Sequence, residues 1–124
     1  DLTNRRIGVW GLSFKQNTDD MRESPAVDII QMIEQRGAIV QAYDPAAIEN
    51  ARVLLKETRF CSSPYGAIEG ADALCVVTPW NEFKHADLKR VKSVMRTPLI
   101  LDGRNMYDPD DMRRLGFTYV GVGR

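Results

Sequence analysis

Apolar positions along the chain alternate between short unbroken runs and faces of helical period. Ile7 to Trp10 is a compact apolar run that stops at Gly11. From Pro25 to Arg36, residues Ala26, Ile29, Ile30 and Ile33 fall at i, i+3, i+4 and i+7, the spacing of one helix face. Ser24 suits the N-cap of that helix, Pro25 its first turn and Gly37 the position just past its end. Ile39 to Tyr43 then reads as a strand, closed by the turn signal Asp44-Pro45.

The second half repeats the alternation. Ala46 to Leu55 places Ile48, Ala51 and Leu55 on one helical face. Arg59 to Ser62 is a short strand, and Pro64 to Glu69 a short helix ended by Gly70. Ala73 to Val77 and Leu99 to Leu101 are strands apolar on both faces, the mark of a parallel sheet covered by helices. Ala86 to Val94 is weakly helical. Asp108 to Leu115 is a helix with acids in its first turn and Arg113-Arg114 in its last. Phe117 to Val120 is a final strand.

Strand and helix alternating about six times predict a Rossmann-like fold: a doubly wound, mainly parallel sheet of about six strands in three α/β/α layers, ordered 3-2-1-4-5-6. In such sheets ligands sit at the carboxyl ends of the strands, near the point where the winding reverses. The loops after Gly11, after Val77 and after Leu101 are therefore the places to look for chemistry.

Composition narrows the classes. With 44% apolar and 27% charged residues, the chain is an ordinary single globular domain spanning 1–124. Seventeen basic residues balance seventeen acidic ones, against a nucleic-acid binder that works through a broad basic field. No apolar run approaches the roughly 20 residues of a membrane span, and no leader-like segment opens the chain. Cys61 and Cys75 make no disulfide framework, so a reducing cytoplasm is the expected setting. The start at Asp1 without Met points to a fragment of something longer.

The first loop departs from a dinucleotide-binding turn. G-x-G-x-x-G is missing, and the thirteen residues Leu12 to Ser24 intervene before the helix, five of them charged. Lys15, Arg22 and the acids Asp19, Asp20 and Glu23 are either a functional set or a solvated ion-pair cluster such as Asp20 or Glu23 with Arg22 or Lys15. In Thr78 to Phe83, Trp80 and Phe83 either stack on a ring or, the favoured reading, lid the sheet end. Arg104, beside Gly103, offers a planar fork suited to phosphate or carboxylate, or else pairs with Asp102 or Asp108.

The remaining candidates are weak. Cys75 reads as a buried small hydrophobe, and Cys61 has no partner in register. His85 sits on the surface. Asp19-Asp20 without a third ligand is a poor cation site, so no metal is expected, and no catalytic triad is visible.

Taken together, Gly11-Leu12-Ser13-Phe14-Lys15, Thr18 to Pro25, Tyr43-Asp44-Pro45, Thr78 to Phe83 and Asp102-Gly103-Arg104-Asn105 resemble the C-terminal domain of the UDP-glucose/GDP-mannose dehydrogenase family, over roughly Arg6 to Val122. The resemblance implies a nucleotide-sugar-binding domain of an NAD-dependent oxidoreductase that converts a sugar C6 alcohol to a carboxylate. UDP-glucose is favoured over GDP-mannose or UDP-N-acetyl sugars. It implies that Phe14, Lys15 and Arg104 contact the nucleotide sugar and that Arg22 approaches NAD. The family's catalytic cysteine, lysine and asparagine lie upstream, so no catalytic residue is expected in this chain, and NAD belongs mainly to an absent N-terminal domain. The partners implied are that domain and, for the whole enzyme, further copies of itself, in a cytoplasmic enzyme of polysaccharide biosynthesis. The chain departs from the family pattern at Pro79, where Glu is common, and at Trp10, where a smaller apolar residue is usual. The alternative is a non-catalytic Rossmann-like module that binds a nucleotide or a protein.

Overall fold

A computed structural model describes residues 1–122. The apolar run after the first turn forms β1 (Arg6–Trp10). Then follow α1 (Ala26–Gln35), β2 (Ile39–Tyr43), α2 (Ile48–Leu54) and the two-residue β3 (Arg59–Phe60). A single 3-10 turn, Gly66–Ile68, stands where a short helix was expected, and leads to β4 (Ala73–Val76). The second half continues with α3 (Asn81–Lys84), α4 (Leu88–Val94), β5 (Leu99–Asp102), α5 (Pro109–Arg114) and β6 (Thr118–Gly121).

The six strands are all parallel and lie in the order β3-β2-β1-β4-β5-β6, the doubly wound order expected from the alternation. Winding reverses between β1 and β4. Successive side chains alternate between the two sheet faces. Ile7, Val9, Val40, Ala42 and Ala73 pack under α1 and α2 through Ala26, Ile30, Ala47 and Ala51. Trp10, Leu74, Val76 and Ile100 pack on the other face with Ile68, Phe83, Val91 of α4 and Met112 of α5. Gly8 has no room for a side chain, because a Cβ there would lie 2.8 Å from the Ala67 carbonyl oxygen.

Three local expectations need correction. The helix read over Ala86 to Val94 starts two residues later: Asp87 accepts from the Arg90 amide and α4 begins at Leu88, while the separate one-turn α3 forms where the loop after Val77 was expected. Pro25, not Ser24, is the residue at the cap of α1, although the Ser24 hydroxyl still accepts from the Ala26 amide. Leu101 is not buried on both sides. The half of the α1 face over β5 and β6 carries no helix, and Leu101, Val120 and Val122 are exposed there. Among the described residues no helix is long and apolar enough to cross a membrane.

Candidate functional site

The carboxyl edge of the sheet is organised by two buried carboxylates. Asp44 ends β2 and is 2% exposed. Its Oδ2 accepts from the Leu12 amide at 2.7 Å, the Ser13 amide and hydroxyl at 3.0 Å, and the Trp80 indole N–H at 3.2 Å. Its Oδ1 accepts from the Ala46 and Ala47 amides at 2.8 and 2.9 Å, opening the way into α2. One side chain therefore ties together the loops after β1, β2 and β4. The Thr78 hydroxyl adds a bond to the Ser13 carbonyl at 2.7 Å. Gly11 makes this crossing possible: its φ is +102°, and a Cβ there would collide with Thr78.

Asp102, at the end of β5, does the same for the next loop. It accepts from the amides of Arg104, Met106 and Tyr107 at 2.9, 2.7 and 3.1 Å, and from the Tyr119 hydroxyl at 2.6 Å. Asn105 takes a left-handed φ of +52° in this turn, and its amide group donates to the Val122 carbonyl.

The predicted site residues stand on this frame as follows. Phe14 and Lys15 are exposed on the loop after β1, just beyond the segment held by Asp44. The Phe14 amide donates to the Asp20 carbonyl at 2.6 Å, closing the loop on itself. Buried Met21 and the Asn50 amide, which donates to the Asp19 carbonyl, fasten its far side. Arg22 is exposed and bound in a fork to Asp20, with its Nη2 donating at 2.9 Å and its Nε at 3.1 Å. That guanidinium holds the Asp20 carboxyl at about 2. The ion-pair expectation for this loop is met by Asp20 and Arg22. Lys15 and Glu23 form no ion pair among the described residues. Phe14, Asp20, Arg22 and Glu23 line one hollow.

Arg104 projects from the turn after β5, exposed. Only its backbone touches Asp102, and its guanidinium pairs with neither Asp102 nor Asp108 among the described residues. Lys15 and Arg104 thus lie on one edge of the sheet, on loops two strands apart with β4 between them. The hollow lined by Phe14, Asp20, Arg22 and Glu23 includes neither of them.

Other candidates resolve simply. Phe83 is fully buried and stacks on Trp10 at 4.8 Å, so the lid reading holds for it. Trp80 is half-buried and anchored to Asp44. Burial pushes the Cys75 thiol up to about 11, which keeps it protonated at neutral pH and poor as a nucleophile. Cys61 is also shifted upward by burial. His85 is exposed. Among the described residues no cluster of three or more acidic, Cys or His side chains is placed to hold a metal. Sequence reasoning treated Asp44 and Asp102 as turn residues and missed their role as hubs. The available signal was an acid at the end of each apolar strand, followed by Pro or Gly.

Residues 8–109 match the family described as UDP-glucose/GDP-mannose dehydrogenase family, UDP binding domain. The chain belongs to this family. It is 47% identical to UDP-glucose 6-dehydrogenase of Rhizobium meliloti, over 100% of this chain and 28% of that protein. It is 43% identical to the enzyme of the same name from Pseudomonas aeruginosa, over 97% of this chain and 28% of that protein. Among solved structures it resembles a UDP-glucose dehydrogenase from Pyrobaculum islandicum, with TM-score 0.80 and 31% identity over 97% of this chain and 26% of that one. A UDP-D-ManNAc dehydrogenase from Pyrococcus horikoshii gives TM-score 0.79 and 31% identity, over 98% and 26%. The chain therefore spans only about 28% of the length of the curated relatives it matches.

NAD, the cofactor the family implies, does not fit the usual place in this domain. A dinucleotide-binding turn presents free amides at the end of β1 and a helix N-terminus immediately behind them. Here the Leu12 and Ser13 amides are taken by Asp44, and α1 begins only at Ala26.

Proposed function

We propose that this chain is the C-terminal UDP-sugar-binding domain of a UDP-glucose 6-dehydrogenase, an NAD-dependent enzyme that oxidises the sugar C6 alcohol to the carboxylate of UDP-glucuronate. Phe14, Lys15 and Arg104 contact the nucleotide sugar. Arg22 faces NAD held by the N-terminal domain of the same polypeptide, which also supplies the nucleophile. The enzyme works as a cytoplasmic homo-oligomer in polysaccharide biosynthesis.

One observation carries the reading: Lys15 and Arg104 stand on the carboxyl edge of the sheet, exposed and without an ion-pair partner among the described residues. A nucleoside diphosphate supplies the negative charge that two such cations accept, and Arg is suited to forked phosphate contacts. The aromatic face of Phe14, next to Lys15 on the same loop, suits a sugar or base. The unreactive setting of Cys75 supports a domain that binds and does not itself oxidise.

The test is NADH production by the full-length protein against a panel of nucleotide sugars. UDP-glucose is expected to give the highest kcat/KM, with GDP-mannose and UDP-N-acetyl sugars well below it. A preference for one of those sugars moves the enzyme within its family. No turnover with any of them favours a non-catalytic nucleotide-binding module.

A further inference from the structure

The amides at the end of β1 are satisfied by a carboxylate of the chain itself. Leu12 and Ser13 donate their backbone N–H groups to Asp44 Oδ2, at 2.7 and 3.0 Å. Successive amides at such a turn form an anion cradle, and in dinucleotide-binding folds a pyrophosphate fills it. Asp44 is 2% exposed and has no ion-pair partner among the described residues, so five N–H donors, with the Ser13 hydroxyl shared between it and the Lys15 carbonyl, balance its charge. A buried carboxylate satisfied in this way holds its donors in a narrow set of positions.

We propose that Asp44 is a built-in anion and a positioning residue for nucleotide-sugar binding. It fills the cradle that a cofactor phosphate would otherwise take, and it sets the turn that presents Phe14 and Lys15. Through the Trp80 indole it locks the neighbouring loop to the same point. The ligand's phosphates are then held by side-chain cations and not by the β1 amides. This inference rests on the proposed role of Phe14 and Lys15.

Asp44→Asn separates positioning from mere support. The amide keeps one oxygen and turns an NH2 group toward donors. In one orientation Ala46 and Ala47 lose their acceptor. In the other, Leu12, Ser13 and Trp80 lose theirs. In the full-length protein, Asp44→Asn is expected to raise KM for UDP-glucose at least tenfold, with kcat and KM for NAD within twofold. Val91→Ala, a core change in α4, serves as a comparison of reduced thermal stability and should leave both KM values unchanged. Should Asp44→Asn not fold, Ser13→Ala removes the hydroxyl that links Asp44 to the Lys15 carbonyl and is expected to raise the same KM at least threefold. Lys15→Ala is measured alongside. A raised KM for Lys15→Ala with a normal one for Asp44→Asn or Ser13→Ala overturns the positioning role and leaves the proposed function standing. Normal KM values for both Lys15→Ala and Asp44→Asn overturn both. An equal rise in Val91→Ala assigns the effect to stability and overturns the positioning role.

Discussion

At the scale of single residues, the exposed cations differ in what they do. Arg22 is engaged by Asp20, whereas Lys15 and Arg104 have no partner among the described residues. Removing either of the latter should subtract a charge-assisted hydrogen bond to ligand, about 1.5–3 kcal/mol. Lys15→Ala and Arg104→Ala in the full-length protein are therefore expected to lower kcat/KM for the nucleotide sugar roughly ten- to a hundredfold. Thermal stability should change little, because both side chains are exposed. Steady-state kinetics beside a melting curve checks both halves. The Asp20 carboxyl gives a pH prediction. Its native pKa is held at about 2, below the ordinary carboxylate value, first by the hydrogen bond from Arg22. A depressed carboxylate stabilises the fold above its unfolded pKa, and that contribution fades as pH falls toward the folded value. The Asp20–Arg22 fork should thus be intact at pH 5 and open only between about pH 4 and about pH 2. An NMR titration of the Asp20 carboxyl reads this directly, and a midpoint near pH 4 would contradict the pairing.

At the scale of elements, the loops are held by what lies beneath them. Gly11 combines a φ of +102° with a crossing over Thr78 that leaves no space for a methyl group. Gly11→Ala is expected to cost about 1–3 kcal/mol from backbone strain and more from the clash, seen as a lowered denaturation midpoint. The outer strands β5 and β6 show the sheet's two faces within a few residues. Ile100 is fully buried against Val91 and Met112, while Val120 is half exposed on the face without a helix. Ile100→Ala should cost about 2–5 kcal/mol. Val120→Thr should stay within about 0.5 kcal/mol, as for surface changes generally. Equal losses would mean that both faces of these strands are packed.

For the molecule as a whole, the two core clusters share one sheet, so the 124-residue chain is expected to unfold in a single cooperative transition. It should show no NAD reduction with UDP-glucose: its cysteines are shifted toward the neutral thiol, and Asp44 fills its β1 cradle. Any steady turnover by the purified chain would contradict this. Its affinity for UDP-glucose should also be weak, since only the surplus over association costs appears as binding.

The sequence by itself determined the strand order, the doubly wound class and the place of the three loops at the carboxyl edge, because each rests on local periodicity and on the handedness of crossovers. Glycine, proline and capping signals placed most element ends within a few residues. The start of α4 at Leu88, the single 3-10 turn at Gly66–Ile68 and the one-turn α3 were not legible, because short elements are decided by packing rather than by period. Family motifs singled out Phe14, Lys15, Arg22 and Arg104, yet whether each cation is paired depends on neighbours across the fold. Only the tertiary structure decided that Arg22 is engaged and that Lys15 and Arg104 project without an ion-pair partner. It also decided that Asp44 and Asp102, plain turn acids in the sequence, are the buried anchors of the site. Hydrogen bonds between residues more than thirty positions apart, such as Leu12 to Asp44 and Trp80 to Asp44, leave no periodic trace in the chain.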